Sequence, residues 1–118
     1  MAYFKEIIIK NPKPYRMPVV ELQGQWLNEL GFTIEAMVYA HFQDGCLTLT
    51  TEPMTESNIG ILMVKPKRVR GRTRPQLLID GFIIKRLGYR IYERLGLVLS
   101  PNTIQISVIN QYTTEQTV

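Results

Sequence analysis

Six cations fall within the ten residues KPKRVRGRTR, at Lys65, Lys67, Arg68, Arg70, Arg72 and Arg74, with no acid among them. Clustered lysine and arginine neutralise phosphates and release condensed counterions, and an arginine can grip one phosphate with two hydrogen bonds. Two or three like charges in a connection are ordinarily solvated surface. Six of one sign are the electrostatic footprint of a nucleic-acid contact. A sparser basic group, Lys10, Lys13 and Arg16, lies in a similar Pro-containing stretch near the N-terminus. These nine residues form the candidate nucleic-acid-binding set.

Catalytic side chains are scarce beside them. Metal-free RNA cleavage needs a general base and a general acid near the 2′-hydroxyl, most easily two histidines, and the sequence has only His41. Strand alternation puts His41 on the face of Tyr39 and Gln43, as a half-exposed strand residue. Glu21 and Asp80 are the next candidates, but Asp80 directly precedes a helical pattern and reads as its N-cap or first-turn acid. One cysteine and one histidine make neither a disulfide nor a metal site, and Cys46 is expected to be a buried, unreactive thiol. No acidic cluster suggests magnesium coordination, although folding can bring two carboxylates together. Trp26 and Tyr89 have the rings to stack on bases, yet their place beside the short helices favours core packing. No catalytic residue, metal or cofactor is assigned.

The charge that surrounds these groups is unevenly spread. Residues 1–58 hold four cations against seven acids, and residues 59–118 hold ten against three, so an acidic half precedes a basic one. At 118 residues the chain is expected to be a single domain, or two half-domains that share one core. No apolar run approaches the roughly 18 residues of a membrane span. The N-terminal MAYFKEIIIK carries charge inside its apolar run, unlike a secretory signal, so a cytoplasmic protein with no membrane partner is expected.

The elements that must position the basic stretch occur twice. With an offset of 57 residues, Pro18–Thr51 lies over Pro75–Val108 without a gap, and Pro18/Pro75, Gly24/Gly81, Leu30/Leu87, Gly31/Gly88 and Ile34/Ile91 are identical. Both glycines, the apolar spacing between them and the aromatic after the second glycine (Phe32, Tyr89) keep register, which points to duplicated units, 1–56 and 57–118.

Each copy predicts the same elements. An extended segment (YFKEIIIK, NIGILMVK) leads into a basic connection and a short strand (VVEL, QLLI). A short helix follows, Gln25–Leu30 and Phe82–Leu87, with Trp26, Leu27 and Leu30 or Ile83, Ile84 and Leu87 on one face. Gly31 and Gly88 stand where the chain leaves the helix in a left-handed conformation. Two strands close the unit: 37–43 turns at Asp44-Gly45, a type I′ hairpin signal, into 46–51, and 95–99 turns at Ser100-Pro101-Asn102 into 103–109. Leu47, Leu49, Ile104 and Ile106 are expected to face inward, with Thr48, Thr50, Gln105 and Ser107 outward. A β-β-α-β-β unit of this size buries too little core alone, so the two must close on each other.

The first copy, with Leu22-x-Gly24-x-Trp26-Leu27, GFTI at Gly31–Ile34 and the hairpin ending DGCLTLT, resembles the SymE toxin family, and the resemblance extends over its leading strand and the NPKPYRMP connection. The second copy keeps the glycines and the apolar skeleton, but has Phe82-Ile83-Ile84 where that family has a Trp-Leu pair. SymE-like proteins are similar in fold to AbrB-like swapped-hairpin proteins. The resemblance therefore implies a mostly β fold, a swapped-hairpin β-barrel built as an intrachain pseudo-dimer, acting as a monomer or a homodimer. It also implies an RNA-binding toxin of a toxin–antitoxin system, with RNA cleavage as an associated activity. The alternative is an AbrB-like DNA-binding regulator or antitoxin without enzymatic activity, and a third reading is an interaction module whose acidic first copy docks another protein.

Overall fold

The turn at Asp44-Gly45 forms as its residues require: φ is 52° and 78° at the two positions, the paired left-handed geometry of a type I′ hairpin. A computed structural model describes residues 3–10, 18–55 and 57–109. Its elements are β1 (Tyr3–Ile8), β2 (Val20–Gln23), α1 (Gln25–Glu29), β3 (Met37–Gln43), β4 (Cys46–Thr50), β5 (Gly60–Met63), β6 (Lys65–Val69), β7 (Arg72–Ile79), α2 (Gly81–Leu87), β8 (Arg94–Ser100) and β9 (Thr103–Val108). The fold is mostly β, as expected.

The strands form two antiparallel sheets, one ordered β1-β8-β9-β4-β3-β5 and the other β2-β7-β6. In the larger sheet, β4 meets β9 with Leu47 opposite Ile106 and Leu49 opposite Ile104, around a central pair Thr48 and Gln105. In the smaller sheet, β2 meets β7 with Val20 opposite Ile79 and Leu22 opposite Leu77, around Glu21 and Leu78. Both central pairs join residues at the offset of 57 seen in the sequence. The two hairpins also share one register, since Tyr39 opposite Thr50 corresponds to Gly96 opposite Ser107. The leading strands cross over: β1 lies along β8 and β5 along β3.

The sheet is open where a barrel was expected. Among the described residues no ladder joins β1 to β5, and they are the two edges. Each leading strand ends in backbone contacts with the loop before the strand it lies along. Val64 follows β5, donating its N–H to the Ala36 carbonyl (3.0 Å) while its own carbonyl accepts from the Glu35 N–H (2.7 Å). Ile9 does the same with Glu93 (3.1 Å) and Tyr92 (2.9 Å). These bonds carry each leading strand one residue further along the strand it already pairs with.

One core is shared by both halves. Val20, Leu22, Leu27, Phe32, Val38, Leu47 and Leu49 pack in one cluster with Leu77, Ile79, Ile84, Leu95, Leu97, Ile104 and Ile106. Strand alternation supplies the inward side chains, and fully burying each stabilises by about 1.5–3 kcal/mol. Thr50 departs from the outward placement expected of it: it is buried, and its hydroxyl accepts from the Glu52 N–H at 3.1 Å, which satisfies the oxygen at the strand's end. Cys46, expected to be buried, is only half-buried because it opens β4 beside the exposed turn.

The helices end as their sequences predict. Asp80 caps α2, accepting from the Ile83 N–H at 3.1 Å, and Gly88 closes it at φ 79°. After α1, Gly31 takes φ 97°. A β-carbon there would overlap Asn102 Oδ1, in the turn of the opposite hairpin, so a side chain at this position meets both a left-handed backbone and a neighbour that must shift.

Candidate nucleic-acid interface

The basic stretch folds as a hairpin, where the sequence suggested a connection. β6 and β7 pair with Val69 opposite Arg72, Arg68 opposite Thr73, Lys67 opposite Arg74, Pro66 opposite Pro75 and Lys65 opposite Gln76. A two-residue turn joins them, with Arg70 at φ 51° and Gly71 at φ 78°. This is again type I′ geometry, and the glycine makes it accessible although arginine at the first position pays a steric penalty.

Alternation then sorts the cations. Pro75, Leu77 and Ile79 of β7 point to the core, so Arg72, Arg74, Gln76 and Leu78 form the outer face. Cross-strand pairing adds Lys65, Lys67 and Val69 to that face. Four of the six cations thus share one surface. Arg68 lies on the opposite face with Thr73, and Arg70 occupies the tip.

Lys67 is not a free phosphate contact. Its ammonium donates to Glu21 Oε2, and the Gln76 side-chain amide donates to the same oxygen. Burial alone would raise the Glu21 pKa, but the hydrogen bonds from Lys67 and Gln76, with the positive charges of Lys67 and Lys10, outweigh it and hold the carboxyl below its ordinary value. Lys10 therefore reaches the same field from the first half, where its backbone bridges Val19. Lys13 and Arg16 lie outside the described residues.

A feature the residue types did not suggest borders the cations. Ile61, Met63 and Leu78 are 52%, 47% and 45% exposed, and with Lys65, Gln76 and Asp80 they line a groove of about 430 Å³. The sequence places these three only in extended segments; the pairing of β5 on β3 and of β7 on β2 and β6 brings them to one strip. A cleft of about 720 Å³ on another part of the surface lies between the Asp44-Gly45 turn and Gly88-Tyr89, with none of the described candidate cations in its lining.

Comparison with known proteins bears on this arrangement. Over 72 residues the chain is 39% identical to "Endoribonuclease SymE" of Salmonella paratyphi C, a match covering 61% of this chain and 66% of that one. It is 29% identical over 72 residues to the protein of the same name from Shigella flexneri, covering 61% and 64%, and 28% identical to that of Escherichia coli (strain ATCC 8739) with the same coverage. The chain is SymE-like. No protein-family model matches it, and no solved structure matches it significantly. The match spans slightly less than two thirds of the length of these curated relatives.

In this SymE-like chain each residue weighed for catalysis has a place in the fold. Asp80 caps a helix, Glu21 is held by Lys67 and Gln76, and His41 sits half-buried in β3 opposite Thr48. Among the described residues, no three His, Cys, Asp or Glu side chains are grouped so as to hold a metal ion. Trp26 packs against the core, with its Nε1–H donated to the Gln23 carbonyl at 2.8 Å and the Lys5 ammonium 5.1 Å from its ring centre. Tyr89 is buried and its hydroxyl lies 3.1 Å from the carbonyls of Gly45 and Ile106. Desolvation, with the nearby Cys46 and Glu93 charges, pushes its pKa up to about 12. It is a structural phenol rather than a base. No helix among the described residues is long and apolar enough to cross a membrane.

Proposed function

We propose that this chain is an RNA-binding toxin of the SymE type, in which the β6–β7 hairpin holds the phosphate backbone. Lys65, Arg72 and Arg74 supply the outer face, Arg70 the tip and Arg68 the reverse side. Lys10, Lys13 and Arg16 contribute a weaker second site, and Lys67 is reserved for Glu21. The observation that carries the reading is the concentration of charge of one sign on one exposed hairpin, in a chain similar to proteins named endoribonucleases. That name favours RNA over the DNA-binding regulator. Cleavage of the bound RNA is the second part of the proposal, with no residue assigned to it.

The matching architecture is proposed to be an AbrB-type swapped-hairpin pseudo-dimer, residues 1–56 and 57–118. Its support is the register: two strand pairs centred on residues 57 apart, and leading strands exchanged between hairpins. A protein carrying both halves in one chain has its swapped partner in cis, and works in the cytoplasm as a monomer or a homodimer.

Purified protein titrated with RNA and with duplex DNA across a salt series tests the function. RNA binding that weakens linearly on a log–log salt plot supports it. Preference for DNA at every salt concentration, or salt-independent binding, overturns it. The lengths of the recovered RNA report cleavage.

A further inference from the structure

The groove beside the hairpin is chemically unlike the hairpin. Its walls are Ile61, Met63 and Leu78, and its polar groups are Lys65, Gln76 and the acid Asp80. Asp80 would repel a phosphate placed there. One of its carboxylate oxygens caps Ile83, and the other is an acceptor of the kind that pairs with base N–H groups. Gln76 commits its amide nitrogen to Glu21, and its amide oxygen is a second acceptor at the same wall. An apolar slot with acceptors suits the flat face and polar edge of a nucleobase.

The two surfaces adjoin. Lys65 and Gln76 face each other across β6 and β7 and line the groove, and Lys67 and Arg74 are the next outward pair, followed by Val69 and Arg72. A strand whose phosphates track Arg74 and Arg72 has its next nucleotide at the groove. A duplex cannot use it, because its bases are stacked and paired, and its surface near a protein is phosphate and sugar.

We infer that the groove lined by Ile61, Met63 and Leu78 takes a base of unpaired RNA, making single-stranded RNA the substrate class of the basic hairpin. This rests on the proposed RNA-binding function. Charge complementarity on the adjoining hairpin selects the occupant, since the cations, with Lys65 at the rim of the groove, draw a polyanion, and the apolar walls and the Asp80 carboxylate suit its base rather than its phosphate. Phosphate contacts and base contacts then differ in salt response: the first weaken with salt and the second do not.

The test measures binding of oligoadenylate about 12 nucleotides long, a duplex RNA of equal length and an abasic ribose-phosphate strand, each over a salt series. Oligoadenylate is expected to bind about tenfold tighter than either comparator, with a ratio to the abasic strand that salt leaves unchanged. The triple variant Ile61→Ser, Met63→Ser, Leu78→Ser removes exposed side chains only, and its melting curve checks the fold. It should bring oligoadenylate down to the abasic affinity while keeping the salt slope. Equal binding of all three ligands by the wild-type protein overturns the inference and leaves RNA binding standing. A concentration-dependent dimer in sedimentation that the triple variant abolishes also overturns it, by assigning the groove to a second copy. Absence of binding to any RNA removes the functional reading and this inference together.

Discussion

Glu21, at the centre of the β2–β7 pairing, accepts from the Lys67 ammonium two strands away and so subtracts one cation from the outer face of the hairpin. Replacing Glu21 by Gln should release Lys67 to phosphate. The slope of log affinity against log salt is expected to steepen by about 0.7–0.9, one contact, with RNA binding tighter at low salt. An unchanged slope would place Lys67 outside the binding surface altogether. Partly solvated pairs of this kind stabilise by about 0–1 kcal/mol, so the melting temperature should move little.

The same carboxylate gives the fold an acid-side dependence. Its folded pKa is depressed, so its contribution is present above the unfolded value and is lost as pH falls through the folded one. Stability should decline as pH drops below the ordinary value of 4.5, and Glu21→Gln should remove part of that decline. Denaturant midpoints measured from pH 6 to pH 3 on both proteins check this; parallel curves would show that Glu21 carries none of it.

Tyr89 corresponds to Phe32 in the other half, and its hydroxyl is an addition that the core had to accommodate. Tyr89→Phe leaves carbonyl acceptors at Gly45 and Ile106 without their donor, at a cost of about 1 kcal/mol. Because the folded pKa is raised to about 12 from 10.0, the neutral phenol's contribution is complete below pH 10 and disappears as pH rises towards 12. The variant should lose that alkaline limb in equilibrium unfolding.

Changing Arg68, Arg70, Arg72 and Arg74 together to Gln leaves the buried residues of β7 intact. The salt slope for RNA should flatten by about 3–4, at 0.7–0.9 for each phosphate lost. Gln at Lys10, Lys13 and Arg16 should have the smaller effect, because Glu21 and the acidic first half already oppose phosphate there. If the first-half change is the more damaging, the binding surface is the half that resembles the SymE family, and the hairpin is merely solvated.

The two helix-ending glycines should respond unequally to valine. Gly88 has open space around it, so Gly88→Val bears only the left-handed backbone, about 1–2 kcal/mol. Gly31→Val adds the overlap with Asn102 and should cost clearly more. Equal losses in chemical unfolding would mean that the Asn102 side chain yields without penalty.

The β3–β4 and β8–β9 hairpins and the short helices and their ends were determined by the sequence alone, because each depends on neighbours within a few residues, and the charge asymmetry is a property of composition. Asp44-Gly45 sets a turn through its own φ angles, Asp80 caps through a residue three positions on, and alternation at Leu47 and Leu49 shows an inward face. The offset of 57 residues was equally legible, since identities are read without geometry. Only the tertiary structure decided what distant segments do to one another. Glu21 and Lys67 are 46 positions apart and meet because β7 bridges β2 and β6, a register that no local pattern encodes. The basic stretch became a hairpin because its two arms pair over five residues, and that pairing, not its composition, sorted the cations by face. Ile61, Met63 and Leu78 are apolar residues that no local pattern places; they are about half exposed because burial is a property of what packs against a face.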